Sequence, residues 1–274
     1  MIARRLNNTL LYLLLIVLAL VVLYPLLFTV LSSFMTEQEV SKFPPAIVPS
    51  QLYWGNFKAA IDNVPVFQFI LNSFIVSSAI MVSQVITSAM AAYAFSFLNF
   101  TGKNALFMVF LATMMIPWEV TIIPNYLTIK SWGWMDSYPG LIVPFMAAAF
   151  GVFLLRQFFL QLPHELFDAA KIDGCGHWRN FFSIVLPLSK PALSTLAVYE
   201  FLTHWNSYLW PLLITNKVSM RTVQIGVAML QHAEVMSWNM ILAGITIVLL
   251  PSFLLLALGV KQLVRGITAG AVKG

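Results

Sequence analysis

From about Leu6 to Met35 the chain carries no charged side chain. A helix needs about 20 apolar residues to cross a bilayer core, and this run exceeds that. The apolar region of a signal peptide is shorter and ends at small residues, whereas this one keeps Tyr24, Pro25 and bulky side chains near its end. It is expected to be a retained first span, over about 8–33. Further apolar windows predict spans at about 66–97, 105–126, 138–156, 192–214 and 238–260. The expected fold class is therefore all-α: a polytopic membrane protein, one transmembrane domain over 1–274, with six transmembrane helices.

Composition excludes the soluble alternative. Only 9% of the 274 residues are charged and 60% are hydrophobic, with a mean hydropathy of +0.86. A soluble domain carries roughly a quarter charged residues, so this chain lacks the means to cover such a surface. With six spans both termini share one side. Arg4, Arg5, Lys103, Arg156, Lys171, Arg179, Lys190, Lys261, Arg265 and Lys273 fall on that side, and Lys42, Lys58, Lys130, Lys217 and Arg221 on the other. Ten against five follows the positive-inside rule and places both termini in the cytoplasm. The same asymmetry accounts for the basic pI of about 9.4 without invoking nucleic acid.

Several chemistries are excluded by spacing. Gly102-Lys103 is not a phosphate loop, since no GxxxxGK[ST] pattern occurs, so this polypeptide does not bind ATP in that manner. The single Cys175 rules out an internal disulfide. His164, His177, His204 and His232 show no metal-ligand spacing, so no metal site, catalytic residue or bound cofactor is expected. The segment from about Thr36 to Pro65 holds Glu37, Glu39, Lys42, Pro44, Pro45, Pro49 and the interfacial pair Tyr53-Trp54. It is expected to lie outside the membrane.

The most polar run is Leu162–Leu193. Pro163 can open a helix because a first-turn N–H is unpaired anyway, and Glu165 and Asp168 suit the positive end of its dipole. Gly174 and Gly176 stop it, glycine tolerating a left-handed exit. A second helix follows, with Trp178, Phe181, Phe182 and Val185 forming an apolar stripe at i, i+3, i+4 and i+7. Pro187 and Pro191 close the unit. Physics alone leaves open whether this helix–Gly–helix loop over 162–191 acts or only connects two spans.

The residues themselves are more specific. Asp168-Ala169-Ala170, then Gly174 after three residues, then Ile184-x-Leu186-Pro187 after nine, resembles the signature loop of ABC-importer permeases. Lys171-Ile172-Asp173-Gly174 and Leu186-Pro187-Leu188 resemble the carbohydrate-uptake branch, the maltose and glycerol-phosphate type. Asp168 stands where that family usually has Glu, keeping the charge on a reach one methylene shorter. Trp54-Gly55-Asn56-Phe57 is similar to the family's first outer loop, and the ending GxTxGxxKG over 266–274 to the tail of maltose-type permeases.

This resemblance implies that 162–191 is a cytoplasmic coupling loop docking on a separate ATP-binding cassette subunit, which binds ATP and Mg²⁺. Asp168, Ala169, Ala170 and Gly174 are assigned to docking, and Ile184, Leu186 and Pro187 to the return into the membrane. Asp173 either docks or caps locally. The implied assembly comprises this chain, a homologous second permease chain, two ATPase subunits and an extracytoplasmic solute-binding protein, in a prokaryotic inner membrane.

Candidates for the solute path are ionisable or polar groups within spans. Glu119 lies between Pro117 and Pro124. Glu200, Thr203, His204 and Ser207 are spaced as one helical face. They either line the path or pair among themselves. Ala79, Ser83, Thr87 and Ala91 recur every fourth residue, a stripe that favours helix packing or, alternatively, lines a groove. With no Lys or Arg deep in a span, a neutral sugar or oligosaccharide is favoured as solute over glycerol 3-phosphate. An ion-coupled secondary transporter would need repeats that are not evident here. An intramembrane enzyme would need a nucleophile or metal beside Glu200 and His204, and none is evident.

Overall fold

A computed structural model of the chain describes residues 2–44, 46–232 and 237–269. The last residues of the glycine-rich tail, with Lys273, lie outside these. α1 (Ile2–Ser32) is followed by the short α2 (Glu37–Val40) and α3 (Gly55–Asn63), then by α4 (Val66–Phe97). Within α1 the stretch Asn8–Ser32, and the whole of α4, are long and apolar enough to cross a membrane.

The next three apolar segments, expected as plain spans, are bent helix pairs. α5 (Lys103–Ala112) and a 3₁₀ turn at Thr113–Met115 meet α6 (Trp118–Ser131) at 92°. The cause is local: a proline disfavours helical geometry at the residue before it, and Ile116, before Pro117, is extended at φ −84°, ψ 112°. Pro124 stays within α6. α7 (Tyr138–Ile142) and the turn Val143–Phe145 meet α8 (Ala149–Phe159) at 44°.

After α8 come α9 (His164–Ile172), α10 (His177–Asn180), a π-helical turn at Phe181–Val185 and α11 (Leu186–Leu188). α12 (Lys190–Trp205) leaves this run at 76°. The expected fifth span over 192–214 is thus interrupted, because α12 ends at Trp205 and α13 (Leu209–Ile214) starts afresh. α14 (Val223–His232) and α15 (Trp238–Ala269) complete the order, the latter running through Pro251.

The helices group into two compact units. Met1–Phe67 with Gly226–Ser252 forms one, and its polar knot explains how an extramembrane loop stays put. Thr36 and Glu39 make a reciprocal cap at the start of α2. Glu39 Oε2 accepts from Thr36 N (2.8 Å) and Oε1 from Ser50 N (2.9 Å). Hydrogen bonds from Ser50 and Thr36 hold the Glu39 carboxyl down at about 2. The buried Asn56 donates to the carbonyls of Ser33 (2.8 Å) and Met35 (2.7 Å) and accepts from Asn239 Nδ2 (2.8 Å). Two carbonyls in the turn just past α1 are thereby satisfied.

Gln68–Ile225 with Phe253–Gly274 forms the second unit. One core joins Ala89, Ala92, Tyr93 and Phe95 of α4 to Phe107, Leu155, Phe159, Val185 and Leu196. Another joins Val76 and Ile80 to Ile122, Ile129, Leu141, Trp210 and Ile214. α8 can approach α4 and α12 closely because residue 151 is glycine: a β-carbon there would collide with Ser88 Oγ and press on Leu196.

Candidate functional site

The 162–191 loop is built outward from the end of α4. Phe167 of α9 packs on Phe97 with ring centroids 4.5 Å apart. Beyond the glycine elbow, Tyr93 Oη donates to the carbonyl of His177 (3.2 Å), and the Tyr93 ring meets Phe181 at 5.2 Å. One helix end therefore grips the loop on both sides of its turn. The turn itself is made at Gly174, whose φ of +72° is left-handed, with Gly174 N–H bonding Lys171 O and Cys175 N–H bonding Ala170 O. No other atom crowds that position, so glycine is required there by backbone conformation alone.

The expected docking residues divide by face. Asp168, Ala169, Asp173 and Gly174 are exposed, while Ala170 is 5% exposed and turned into the protein. Asp173 stands at the C-cap of α9, its N–H bonding Ala169 O. The expected one-sided stripe of the second helix is also split. Phe181 and Val185 are buried, but Trp178 is 67% and Phe182 59% exposed, their rings stacked at 6.0 Å. The π-helical turn explains the split, since an extra residue per turn shifts the register of a 3.6-residue face. Ile184 and Leu186 are half-buried and Pro187 is exposed. Ile172, 87% exposed, was not singled out from the sequence. Its position, three residues after Ala169 on the same face, is the signal that could have found it.

The second candidate group lies where α4, the break before α8, and α12 meet. Glu200 is buried, and its Oε2 lies 3.6 Å from His204 Nε2. Gln84 Nε2 lies 3.3 Å from the same nitrogen and donates to Phe145 O at 2.7 Å. Ser83 Oγ (2.8 Å) and Thr87 Oγ1 (3.2 Å) donate to Met146 O. Backbone groups at a break within lipid have no water to bond, and these three side chains of α4 serve them. The small-residue stripe on α4 thus does more than permit close packing, and Glu200 and His204 stand as neighbours one turn apart on α12.

The rest of the polar stripe comes apart. Thr203 is exposed, and Ser207 falls beyond the end of α12, so it does not continue the helical face. Glu119 is exposed in the first turn of α6. Among the described residues no group of three or more His, Cys, Asp or Glu could hold a metal.

Residues 84–268 match the family of the binding-protein-dependent transport system inner membrane component. The chain belongs to this family. Its members are membrane subunits of ABC transporters rather than enzymes. Over 264 residues, 93% of this chain and 94% of the other, it is 38% identical to the sn-glycerol-3-phosphate transport system permease protein UgpE of Pectobacterium atrosepticum. It is 36% identical over 273 residues to the protein of the same name from Brucella melitensis, covering 96% of this chain and 97% of the other. Its fold is similar to that of a chain of a bacterial ABC transporter involved in the import of the acidic polysaccharide alginate. That likeness has a TM-score of 0.84 at 20% identity, over 94% of this chain and 97% of the other.

For a permease of this family, the face split matters. The inward residues Phe167, Ala170, Phe181 and Val185 fix the loop to the rest of the chain. The outward residues Asp168, Ala169, Ile172, Trp178 and Phe182 are free to meet another protein.

Proposed function

We propose that the chain forms half of the translocation path of an ATP-driven, binding-protein-dependent importer and is driven through the 162–191 loop. The observation that carries this is the loop's two-sidedness: its inner face is seated on α4, and its outer face leaves Ile172, Trp178 and Phe182 in the open. Large apolar side chains clustered on an outward face mark an interaction site. The partner is an ATP-binding cassette subunit, which supplies the nucleotide and Mg²⁺ chemistry this chain lacks. A homologous second permease chain completes the path, two ATPase subunits drive it, and an extracytoplasmic binding protein delivers the solute.

The six-span topology with cytoplasmic termini is part of the same reading. Two long helices, three bent pairs and the apolar helix Trp238–Leu254 supply the six, and the distribution of Lys and Arg orients them. Because α8 runs into the loop and α12 runs out of it, a push on the loop is a push on two membrane segments at once.

Relatives at 36–38% identity that bear the glycerol-phosphate name favour sn-glycerol 3-phosphate or a related polyol phosphate as solute. A neutral sugar is the second reading, favoured by the Glu200–His204 pair, which offers a carboxylate and an imidazole. A phosphate would favour paired basic groups, and the second permease chain would have to provide them.

Two measurements test this. Affinity-tagged chain is co-expressed with its neighbouring ATPase subunit, and Ile172→Asp is expected to lower the amount retained about tenfold. Equal retention would overturn the docking role. Cells carrying the complete system are then offered radiolabelled sn-glycerol 3-phosphate or maltose. Glu200→Gln and His204→Ala are expected to lower uptake while the complex assembles. Normal uptake in both would remove the pair from the path.

A further inference from the structure

Gln84 is 2% exposed, and no partner reaches its side-chain oxygen. Its nitrogen carries two protons. One is given to Phe145 O at 2.7 Å, and the nitrogen lies 3.3 Å from His204 Nε2, which accepts the other in the tautomer protonated at Nδ1. Phe145 closes the turn just before the 146–148 break, upstream of α8, and His204 is next to last in α12. α8 and α12 are the two arms of the 162–191 loop, packed on each other through Leu155, Phe159, Ala192 and Leu196. At the ends of these arms away from the loop, a single amide on α4 meets both.

We infer that Gln84 is a positioning residue of the coupling step: it holds the far ends of both loop arms to one point on α4, so that the arms move as one body. This rests on the reading that the loop transmits the ATPase stroke. Ser83 and Thr87 hold the same break through Met146 O, but neither reaches α12. Among the described side chains of α4, Gln84 alone hydrogen-bonds the break while also reaching His204. The Phe145–His204 ring contact at 5.2 Å runs alongside it and fixes the separation that the amide spans. Removing the amide takes the hydrogen bond from the part-buried Phe145 carbonyl and loosens one of the holds on His204, so the arms can slip past each other under load.

The test uses the complete transporter in proteoliposomes, with ATP hydrolysis measured without and with the solute-loaded binding protein as purified from cells. The quantity read is the stimulation ratio. Gln84→Leu keeps the volume and loses the amide, and it is expected to cut the ratio about fivefold or more with basal hydrolysis and assembly retained. Gln84→Asn keeps the amide on a shorter stem and should fall between. Ser77→Ala, on the same helix, should change nothing.

A wild-type ratio in Gln84→Leu would overturn the proposal. So would a Gln84→Leu complex that falls apart while Gln84→Asn keeps the wild-type ratio, which would reduce the residue to packing. Trp178→Ala with Phe182→Ala separates the two readings. If that pair lowers the ratio and Gln84→Leu does not, only the Gln84 inference fails. If the pair has no effect, the docking reading itself fails.

Discussion

The chain has two prominent polar excursions, and they are built in opposite ways. The segment from Thr36 to Asn56 turns its polar groups on itself. Glu39 takes the amides of Thr36 and Ser50, and Asn56 takes two carbonyls from the turn just past α1. The 162–191 segment instead spends its aromatic rings on α4 and leaves its carboxylates, Ile172, Trp178 and Phe182 facing out. Both leave large apolar side chains exposed, Phe43 and Trp54 in the first and Ile172 and Trp178 in the second, so what separates them is where their polar groups find partners.

That contrast can be broken. The largest effect is expected from Gly174→Val, which puts a β-branched residue at φ +72°. The left-handed conformation costs an ordinary residue about 1–2 kcal/mol and a β-branched one more, so α9 and α10 should lose their relative setting. Uptake should fall to background with normal abundance in the membrane fraction. Wild-type uptake would mean the elbow is not needed.

Next, Trp178→Ala with Phe182→Ala should weaken ATPase association about tenfold while leaving the thermal midpoint of the purified permease within about 2 °C. A large drop in that midpoint would show the rings to be structural, erasing the difference between the loops.

Asn56→Leu should do the reverse. It leaves the Ser33 and Met35 carbonyls and the Asn239 amide short of a partner, each worth about 1–3 kcal/mol when buried. The thermal midpoint should fall by several degrees, about 4 °C per kcal/mol at most for a chain of this size, while affinity for the ATPase is unchanged.

The smallest effect belongs to Glu39. Its folded-state pKa lies below its ordinary value, so its contribution is present above pH 4.5 and is lost as pH falls towards about 2. Amide exchange at Ser50 should stay protected down to pH 4 and speed up below pH 3. In Glu39→Gln it should be fast throughout, and protection unaffected by that change would remove the carboxylate from the clamp.

Much of this was legible in the residues. Gly174 and Pro163 marked the ends of α9 correctly because their backbone constraints are local. The 92° bend follows from Pro117 in the same way. The interruptions at Met146–Ala148 and after Trp205 were not foreseen, although Pro144 and Pro211 lie close to them. A proline tolerated in a helix's first turn reads as a start rather than a break. The role of Ser83, Gln84 and Thr87 had no sequence signal at all, because their carbonyl acceptors lie about sixty residues along the chain. The Trp178–Phe182 pair was misplaced for a third reason. Periodicity assigns faces relative to one another, and a single π-helical turn resets the count.

The hydrogen bond between Asn56 and Asn239 also has a consequence in time. The two residues are 183 apart in the chain. Synthesis proceeds at about 5–20 residues per second, so the second amide emerges roughly ten to forty seconds after the first. For that interval Asn56 can tie down the end of α1 but has no donor for its own oxygen. A ribosome that stalls before Asn239 leaves the end of α1 half-tied. α1 is thus secured through α15, and a nascent chain cut short of α15 leaves the Asn56 oxygen without that donor.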